Sequence, residues 1–225
     1  THQYETKIMK TRSNDRKNAM LRQKHLRTVR CEQLENRSLM AAEILFNADS
    51  GRLTFNGTDT TEDYAEVRVN TRGTASTTDD VLLLSLKSNN VTVATRNISM
   101  SRVNQIAFNG YGMNDRFNNN SPIASIAKGG AGDDILLGGS NADRLYGEAG
   151  EDYLDGRLGN DQLSGGADMD IIFGDKGNDY LYGGLDTDYL FGGAGRDYLD
   201  GQSGNDVIDG GPGTELKMIG GIGVD

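Results

Sequence analysis

Hydrophobic side chains recur every nine residues through the second half of this 225-residue chain, with glycine and polar residues between them. In each of nine units between 129 and 209, the first position is Gly, the sixth is Asp and the eighth is Leu or Ile. The last three residues of a unit predict a short strand, in which position eight points inward and positions seven and nine point outward. Such a fixed period is typical of solenoids, whose stacked turns share one core. The predicted inward residues are Leu136, Leu145, Leu154, Leu163, Ile172, Leu181, Leu190, Leu199 and Ile208.

The other six residues of each unit predict a tight turn that presents oxygen atoms. Position four is Gly, Asn or Asp throughout, and these residue types accept a left-handed backbone at low cost. Position six adds a carboxylate, so the turn offers oxygen ligands only. Such ligands suit Ca²⁺ better than Zn²⁺, for which no Cys or His lies nearby. The candidate metal ligands are Asp134, Asp143, Asp152, Asp161, Asp170, Asp179, Asp188, Asp197 and Asp206.

These units resemble the G-G-x-G-x-D-x-U-x repeats of the RTX, or haemolysin-type calcium-binding, family, as residues 192–200 illustrate. In that family two units complete one coil of a right-handed parallel β-roll, and each Ca²⁺ lies between turns stacked on the same side. The resemblance implies up to about seven bridging Ca²⁺ ions. They would lie at the pairs Asp134/Asp152, Asp143/Asp161, Asp152/Asp170, Asp161/Asp179, Asp170/Asp188, Asp179/Asp197 and Asp188/Asp206.

The charge of the array suggests that folding depends on the metal. Between 129 and 209 there are 18 acidic and 4 basic residues, and the resulting net charge of −14 opposes compaction. Nine inward aliphatic side chains make a thin core for an array of this length. We therefore expect the array to fold when Ca²⁺ binds. The alternatives are a disordered linker and a metal-free solenoid, but neither explains both the fixed aliphatic and the fixed Asp positions.

Two regions precede the array. Residues 1–40 form a basic leader, compatible with helix or disorder, whose first 37 residues carry a net charge of +6. Within it, Leu34 to Ala41 resembles the LEPR-XLL element of large exported bacterial proteins, with Asn36 in place of Pro and Met40 in place of Leu. Residues 41–128 are β-rich and merge into the solenoid. Strands are predicted there at 43–46, 52–56, 64–70, 81–86, 91–95 and 105–108.

The nine-residue register also predicts where the roll begins and ends. Phe108, Phe117 and Ile126 continue the spacing upstream, with one extra residue before Leu136. Asp115 stands two residues before Phe117, as in a repeat, and is a weaker candidate ligand. We expect no Ca²⁺ at the fainter echo in 57–63. Residues 210–225 predict a terminal cap or tail, because Glu215 replaces Asp and Lys217 stands where an aliphatic residue belongs.

Eight of the fifteen aromatic residues stand at the outward positions seven and nine. If alternate units stack, Phe173, Tyr189 and Phe191 fall on one face with Ile171. Cross-strand ladders explain this pattern. A docking surface for a protein partner or a second copy is the other interpretation.

These patterns together predict an all-β, exported calcium-binding repeat protein, secreted or at the cell surface, that acts as a non-catalytic structural or adhesive module. Its only histidines, His2 and His25, lie in the leader, and Cys31 stands alone. A pI near 4.7 argues against a nucleic-acid partner, and no apolar stretch is long enough to span a membrane. The alternative is a fragment or accessory part of a larger secreted RTX protein, such as a toxin or an exoenzyme.

Overall fold

The computed structural model describes residues 42–70 and 81–223, which form an all-β parallel solenoid of about six turns. These ranges contain eighteen strands and one 3-10 turn, Met100–Arg102. The basic leader and its LEPR-XLL-like element lie outside the described residues. Their predicted character therefore stays a prediction.

The strands form two nine-stranded sheets, and from residue 105 onward successive strands alternate between them. Sheet A contains β1 (Glu43–Asn47), β2 (Arg52–Asn56), β6 (Gln105–Gly112), β8 (Ser125–Ala131), β10 (Arg144–Ala149), β12 (Gln162–Ala167), β14 (Tyr180–Leu185), β16 (Tyr198–Ser203) and β18 (Lys217–Ile219). Sheet B contains β3 (Asp63–Asn70), β4 (Val81–Ser88), β5 (Val91–Ser99), β7 (Arg116–Asn120), β9 (Ile135–Leu137), β11 (Tyr153–Asp155), β13 (Ile171–Gly177), β15 (Tyr189–Gly195) and β17 (Val207–Asp209). The six strands predicted before residue 110 are confirmed, with bounds that differ by a few residues.

Two nine-residue units complete one coil, as the resemblance implied. Strand β10 pairs in parallel with β12 so that Leu145 lies opposite Leu163, and β11 pairs with β13 so that Leu154 lies opposite Ile172. Eight of the nine predicted inward side chains are fully buried, and Ile208 packs against them from the end of the stack. The repeated aliphatic residue therefore forms one continuous core between the two sheets.

The β-rich region before the array is the upstream part of the same solenoid. Strand β2 pairs in parallel with β6, which places Phe55 opposite Phe108, and β3 pairs in parallel with β7, which places Ala65 opposite Phe117. The rings of Phe108 and Phe117 stack with their centroids 5.3 Å apart. Antiparallel neighbours close this end, because β1 pairs with β2 while β4 pairs with both β3 and β5.

Two predictions about the register are wrong at the places where a coil is longer by one residue. Ala127, and not Ile126, lies opposite both Phe108 and Leu145, so the extra residue falls between Phe117 and Ala127. Downstream, Met218 lies opposite Leu199, while Lys217 lies opposite the outward Tyr198. In both coils the extra residue is absorbed in the turn, since a shift of one residue in the strand would reverse its two faces.

The outward aromatic residues lie together on sheet B, as the stacking of alternate units predicted. Phe173 lies opposite Phe191 and Ile171 lies opposite Tyr189. The rings of Phe173 and Phe191 stack with centroids 4.8 Å apart, and Tyr153 contacts Phe173 at 5.6 Å. We call Ile171, Phe173, Tyr189 and Phe191 the aromatic face. A cross-strand ladder is therefore present, and docking at this face stays a prediction.

Candidate metal centre

The structure brings the nine predicted carboxylates into two straight columns, one along each edge where a turn enters a strand. All nine side chains are buried, with exposed fractions of 4 % or less. Their role as metal ligands stays a prediction, but the predicted pairs are spatial neighbours. The Asp134 column, which enters sheet B, contains Asp134, Asp152, Asp170, Asp188 and Asp206. The Asp143 column, which enters sheet A, contains Asp143, Asp161, Asp179 and Asp197.

One carboxylate oxygen of each Asp holds the preceding coil. The backbone N–H of Asp134 donates to Oδ1 of Asp152 at 2.7 Å, and the N–H of Asp152 donates to Oδ1 of Asp170 at 2.9 Å. The Asp143 column repeats this contact, for example from the N–H of Asp161 to Oδ1 of Asp179 at 2.8 Å. Each bond joins residues 18 apart, so Oδ1 supplies the hydrogen bond that stacks one coil on the next.

The second carboxylate oxygen is buried and has no hydrogen-bond donor in most of these residues. An unsatisfied buried polar atom costs about 1–3 kcal/mol, and more when it is charged, so a repeated one requires an explanation. A cation bound at each Oδ2 would explain why this oxygen has no hydrogen-bond donor. The seven predicted ligands with an unpartnered Oδ2 are Asp134, Asp152, Asp161, Asp170, Asp179, Asp188 and Asp197.

Asp143 differs from those seven because the protein itself satisfies its carboxylate. Its Oδ2 accepts a hydrogen bond from the backbone N–H of Gly139 at 2.6 Å, while its Oδ1 accepts from the N–H and the hydroxyl of Ser125. Position four of this unit, Asn141, also lacks the left-handed backbone that Asp168 and Asp186 adopt at φ 73° and 70°. Of the predicted ligands, Asp143 is therefore the one that the geometry favours least.

Burial raises the pKa of these carboxyl groups far above that of a solvated Asp. The pKa rises to about 8 for Asp152 and Asp161, and to about 7 for Asp134, Asp170, Asp179 and Asp188. In each case the backbone N–H donor opposes this rise by a smaller amount. For Asp152 and Asp161 the carboxylates on the neighbouring coils raise the pKa further. A divalent cation would stabilise the charged form, which burial alone disfavours.

Glycine at position one leaves the space that the carboxylate needs. A Cβ atom on Gly147 or Gly165 would overlap with Oδ2 of the Asp in its own unit. At Gly147 it would also lie 2.7 Å from the carbonyl oxygen of Gly165 on the next coil. The carboxylate and a backbone carbonyl therefore converge where any side chain at position one would stand.

Backbone carbonyls from positions two and four point toward the same stacked turns. A Cβ on Gly166 would overlap with the carbonyl oxygen of Glu148, and one on Gly177 with that of Gly159. Where position two is not glycine, the residue keeps a positive φ, from 69° to 82°. The substitutions at position two therefore preserve the backbone of the turn. They are Glu148, Arg157, Asp175 and Gln202.

These donors fit a hard cation. Carboxylate and carbonyl oxygens are the ligands of Ca²⁺, whose coordination shell is large and flexible. In the part of the chain that the structure describes, no three side chains of His, Cys, Asp or Glu form a metal-binding group. An ion between two turns would therefore depend on backbone carbonyls in addition to the Asp residues, and the tight turns present those carbonyls.

Residues outside the nine clear units continue the columns; the sequence marked Asp115 only as a weaker candidate ligand and Asp63 only as part of a faint echo. Asp63 and Asp115 extend the Asp134 column upstream, since the N–H of Asp115 donates to Oδ1 of Asp134 at 2.6 Å. Downstream, Glu215 takes the place of Asp over Gly210, and its Oε1 is buried without a hydrogen-bond donor. The roll then continues to Gly223, because the N–H of Gly204 donates to the carbonyl of Ile222 at 3.0 Å. The sequence signal for this continuation was a further Gly-Gly-x-Gly motif at 220–223, which begins one residue later than the nine-residue period predicts.

The comparisons with known proteins agree with this geometry. A family model described as the RTX calcium-binding nonapeptide repeat matches four segments, at residues 128–163, 156–190, 164–199 and 182–214. No curated protein and no solved structure matches the chain. No helix in the described residues is long and apolar enough to cross a membrane. The matched part of the chain is a calcium-binding repeat module built as a parallel β-solenoid.

Proposed function

We propose that this protein is an exported, non-catalytic module whose β-roll folds when Ca²⁺ fills the spaces between stacked turns. The repeated Oδ2 atoms carry the proposal, because seven predicted ligands bury a carboxylate oxygen that no protein donor satisfies. A Ca²⁺ ion in each space would remove the free-energy cost of the unsatisfied carboxylate oxygen and would stabilise the stacked turns. The role that follows from such a fold is structural or adhesive.

The ion positions follow from the columns. Each neighbouring pair within a column encloses one space lined by Oδ2 and by carbonyls of the turns, which gives about seven spaces for the predicted pairs. Asp170 borders two of them, toward Asp152 and toward Asp188, as its two 2.9 Å ladder bonds indicate. Interior carboxylates would thus each serve two ions, and those at the ends would serve one.

Export explains why folding would depend on calcium, because the concentration of free Ca²⁺ is much higher outside the cell than in the cytosol. Extracellular calcium-binding modules have dissociation constants of about 10⁻⁴ to 10⁻³ M, so their sites stay empty in the cytosol and fill outside the cell. At roughly tenfold excess of free Ca²⁺ over that constant, each independent site adds about 1.4 kcal/mol to stability. Several such sites would convert an acidic, weakly stable chain into a folded roll after transport.

The aromatic face supports association with a second copy of the chain as part of the same role. Phe173 and Phe191 stack on each other, and Ile171 beside them is exposed. Exposed apolar strips of this kind are common at sites of protein association. A structural or adhesive module would use this face to join one roll to another.

A calcium titration tests the proposal. Far-UV circular dichroism and small-angle scattering should show gain of β structure and compaction as Ca²⁺ is added, and loss of both with a chelator. Mg²⁺ is the matched control, because it demands an octahedral shell that keeps several waters and should fold the roll poorly. A roll that keeps the same spectrum and radius in chelator and in Ca²⁺ would refute calcium-dependent folding.

A further inference from the structure

The Asp134 column extends one coil upstream of the residues that match the repeat family. Asp115 is 2 % exposed, and its Oδ1 accepts a hydrogen bond from the backbone N–H of Asp63 at 2.6 Å. Its Oδ2 is buried without a donor, like the seven unpartnered ligands downstream. Asp115 therefore has the same environment as a repeat Asp, although residues 110–118 lie outside the matched segments.

The turn before Asp115 keeps the backbone of a repeat turn despite its different residues. Tyr111 and Met113 stand at positions two and four with φ angles of 79° and 70°, a left-handed region that side chains other than glycine rarely adopt. A Cβ on Gly130 would overlap with the carbonyl oxygen of Tyr111, and one on Gly132 would lie 2.5 Å from that of Met113. The carbonyls of this turn therefore face the next coil, as they do in the repeats.

The Asn114 side chain, from the same turn as Asp115, joins this coil to the next one. The backbone N–H of Asp133 donates to Oδ1 of Asn114 at 3.0 Å, and Nδ2 of Asn114 donates to the Asp133 carboxylate at 3.4 Å. The turns at 110–115 and 129–134, which border the space between Asp115 and Asp134, are thus joined by direct side-chain contacts.

The next carboxylate upstream is satisfied in a different way. Oδ2 of Asp63 accepts a hydrogen bond from the backbone N–H of Thr58 at 2.7 Å and another from the Thr58 hydroxyl at 3.3 Å. The Thr61 hydroxyl also contacts this carboxylate, at 3.4 Å from Oδ1, and bonds to the Ser88 hydroxyl at 2.7 Å. Protein donors therefore satisfy Oδ2 of Asp63, whereas the corresponding oxygen of Asp115 has no donor.

We propose that the calcium column begins between Asp115 and Asp134, one coil upstream of the matched repeats, and that the hydroxyl cluster of Thr58, Thr61 and Ser88 closes it at Asp63 without an ion. The column then has a metal-free upstream end, on which the first calcium-bound turn is built. The proposal rests on the proposed function, because it assumes that the repeats bind Ca²⁺.

Native mass spectrometry of the full chain in Ca²⁺ tests it by counting ions. Asp115→Asn keeps the hydrogen-bond acceptor for Asp63 but removes the charge, and we expect it to bind one ion fewer than the wild type. Asp63→Asn and Thr61→Val should bind the wild-type number, because neither residue contacts an ion. Asp134→Asn is the internal standard, since it borders two spaces and should lose up to two ions.

The outcomes separate the two proposals. A wild-type chain that binds no Ca²⁺ would refute the proposed function. If the wild type binds Ca²⁺, an unchanged count in Asp115→Asn refutes the upstream site. A loss of one ion in Asp63→Asn or in Thr61→Val refutes the metal-free end. Thr61→Val preserves the β-branched shape, so it remains informative if Asp63→Asn fails to fold.

Discussion

Asp170→Asn should stabilise the calcium-free roll and reduce the stability that the roll gains when calcium binds. The side chain is fully buried, its Oδ1 accepts from the N–H of Asp152, and its Oδ2 has no donor. Asn has the same shape and keeps the Oδ1 acceptor, but it replaces the unsatisfied oxygen with an NH₂ group. That group can donate to the carbonyl oxygens that line the same space.

The magnitudes follow from this contact. Removing one unsatisfied buried polar atom should stabilise the calcium-free roll by about 1–3 kcal/mol. In Ca²⁺ the variant should lose up to two sites, because Asp170 borders two spaces. At roughly tenfold excess of free ion each site is worth about 1.4 kcal/mol, so the stability gained on adding Ca²⁺ should be smaller than in the wild type by about 1.4–3 kcal/mol.

The assay compares the two conditions in the same variant. In chelator, the concentration of a stabilising osmolyte needed to fold the roll should be lower for Asp170→Asn than for the wild type. The rise in thermal midpoint on adding Ca²⁺ should be smaller than in the wild type, by about 2–4 °C per kcal/mol of lost calcium stabilisation for a chain of this size. Asp168→Asn is the matched control, since this exposed neighbour has φ 73°, which Asn tolerates. If Asp170→Asn destabilises the roll in chelator, the reasoning about Oδ2 is wrong.

Five further predictions rest on the same geometry. Burial raises the pKa of Asp152 to about 8, so between about pH 4 and pH 8 the folded calcium-free roll binds a proton that the unfolded chain has lost. The free energy of unfolding of the calcium-free roll should therefore fall as the pH rises through this range, which unfolding measured at a series of pH values tests. Calcium uptake at pH 7 should release protons, which potentiometry measures. Gly165→Ala puts a Cβ on the carboxylate of its own unit and should cost roughly 1–3 kcal/mol in Ca²⁺ by thermal unfolding. Leu163→Ala should cost about 2–5 kcal/mol, because its side chain is fully buried between the sheets. Changing Phe173 and Phe191 together to Ser should lower the mass seen by multi-angle scattering without changing the number of bound ions.

Each of these predictions has an outcome that contradicts it. A calcium-free roll that gains stability between pH 4 and pH 8, or calcium uptake without proton release, would contradict the assigned pKa shifts. Ser164→Ala, on the outer side of sheet A, is the control for both Leu163→Ala and Gly165→Ala and should have little effect. Equal losses in the three variants would mean that neither the core nor the position-one space matters. For the aromatic face, an unchanged mass would show that it is only a cross-strand ladder.

The regular part of the fold was predictable because every nine-residue unit repeats the same turn and the same inward aliphatic residue. A period of nine with a fixed aliphatic residue specifies one inward side chain per strand, and Leu145 does lie opposite Leu163. The same period placed the Asp residues in two columns. Position-one glycine was also explicable, since the structure shows the carboxylate filling the space that a Cβ would take.

Irregular coils were not predictable in this way. One extra residue can enter a coil at any point of a turn, and the period does not say where. Ala127 is inward, and not Ile126, because neighbouring strands on both sides fix the register of β8. At the other end, pairing with β16 alone fixes the register of β18 and places Met218, and not Lys217, opposite Leu199. Hydrogen bonding across the sheet, and not the apolar pattern of the strand alone, selects the face.

The sequence by itself determined the period, the oxygen chemistry of the turns and the Asp residues that form the columns. Only the tertiary structure decided how each carboxylate is used, because its two oxygens are equivalent in the sequence and differ only in what the stacked coils place beside them. It also joined Asp63 to Asp115, which are 52 positions apart in the chain. Contacts between residues so far apart depend on stacking, in which strand pairing sets the distance between side chains, and so they leave no periodic signal in the sequence.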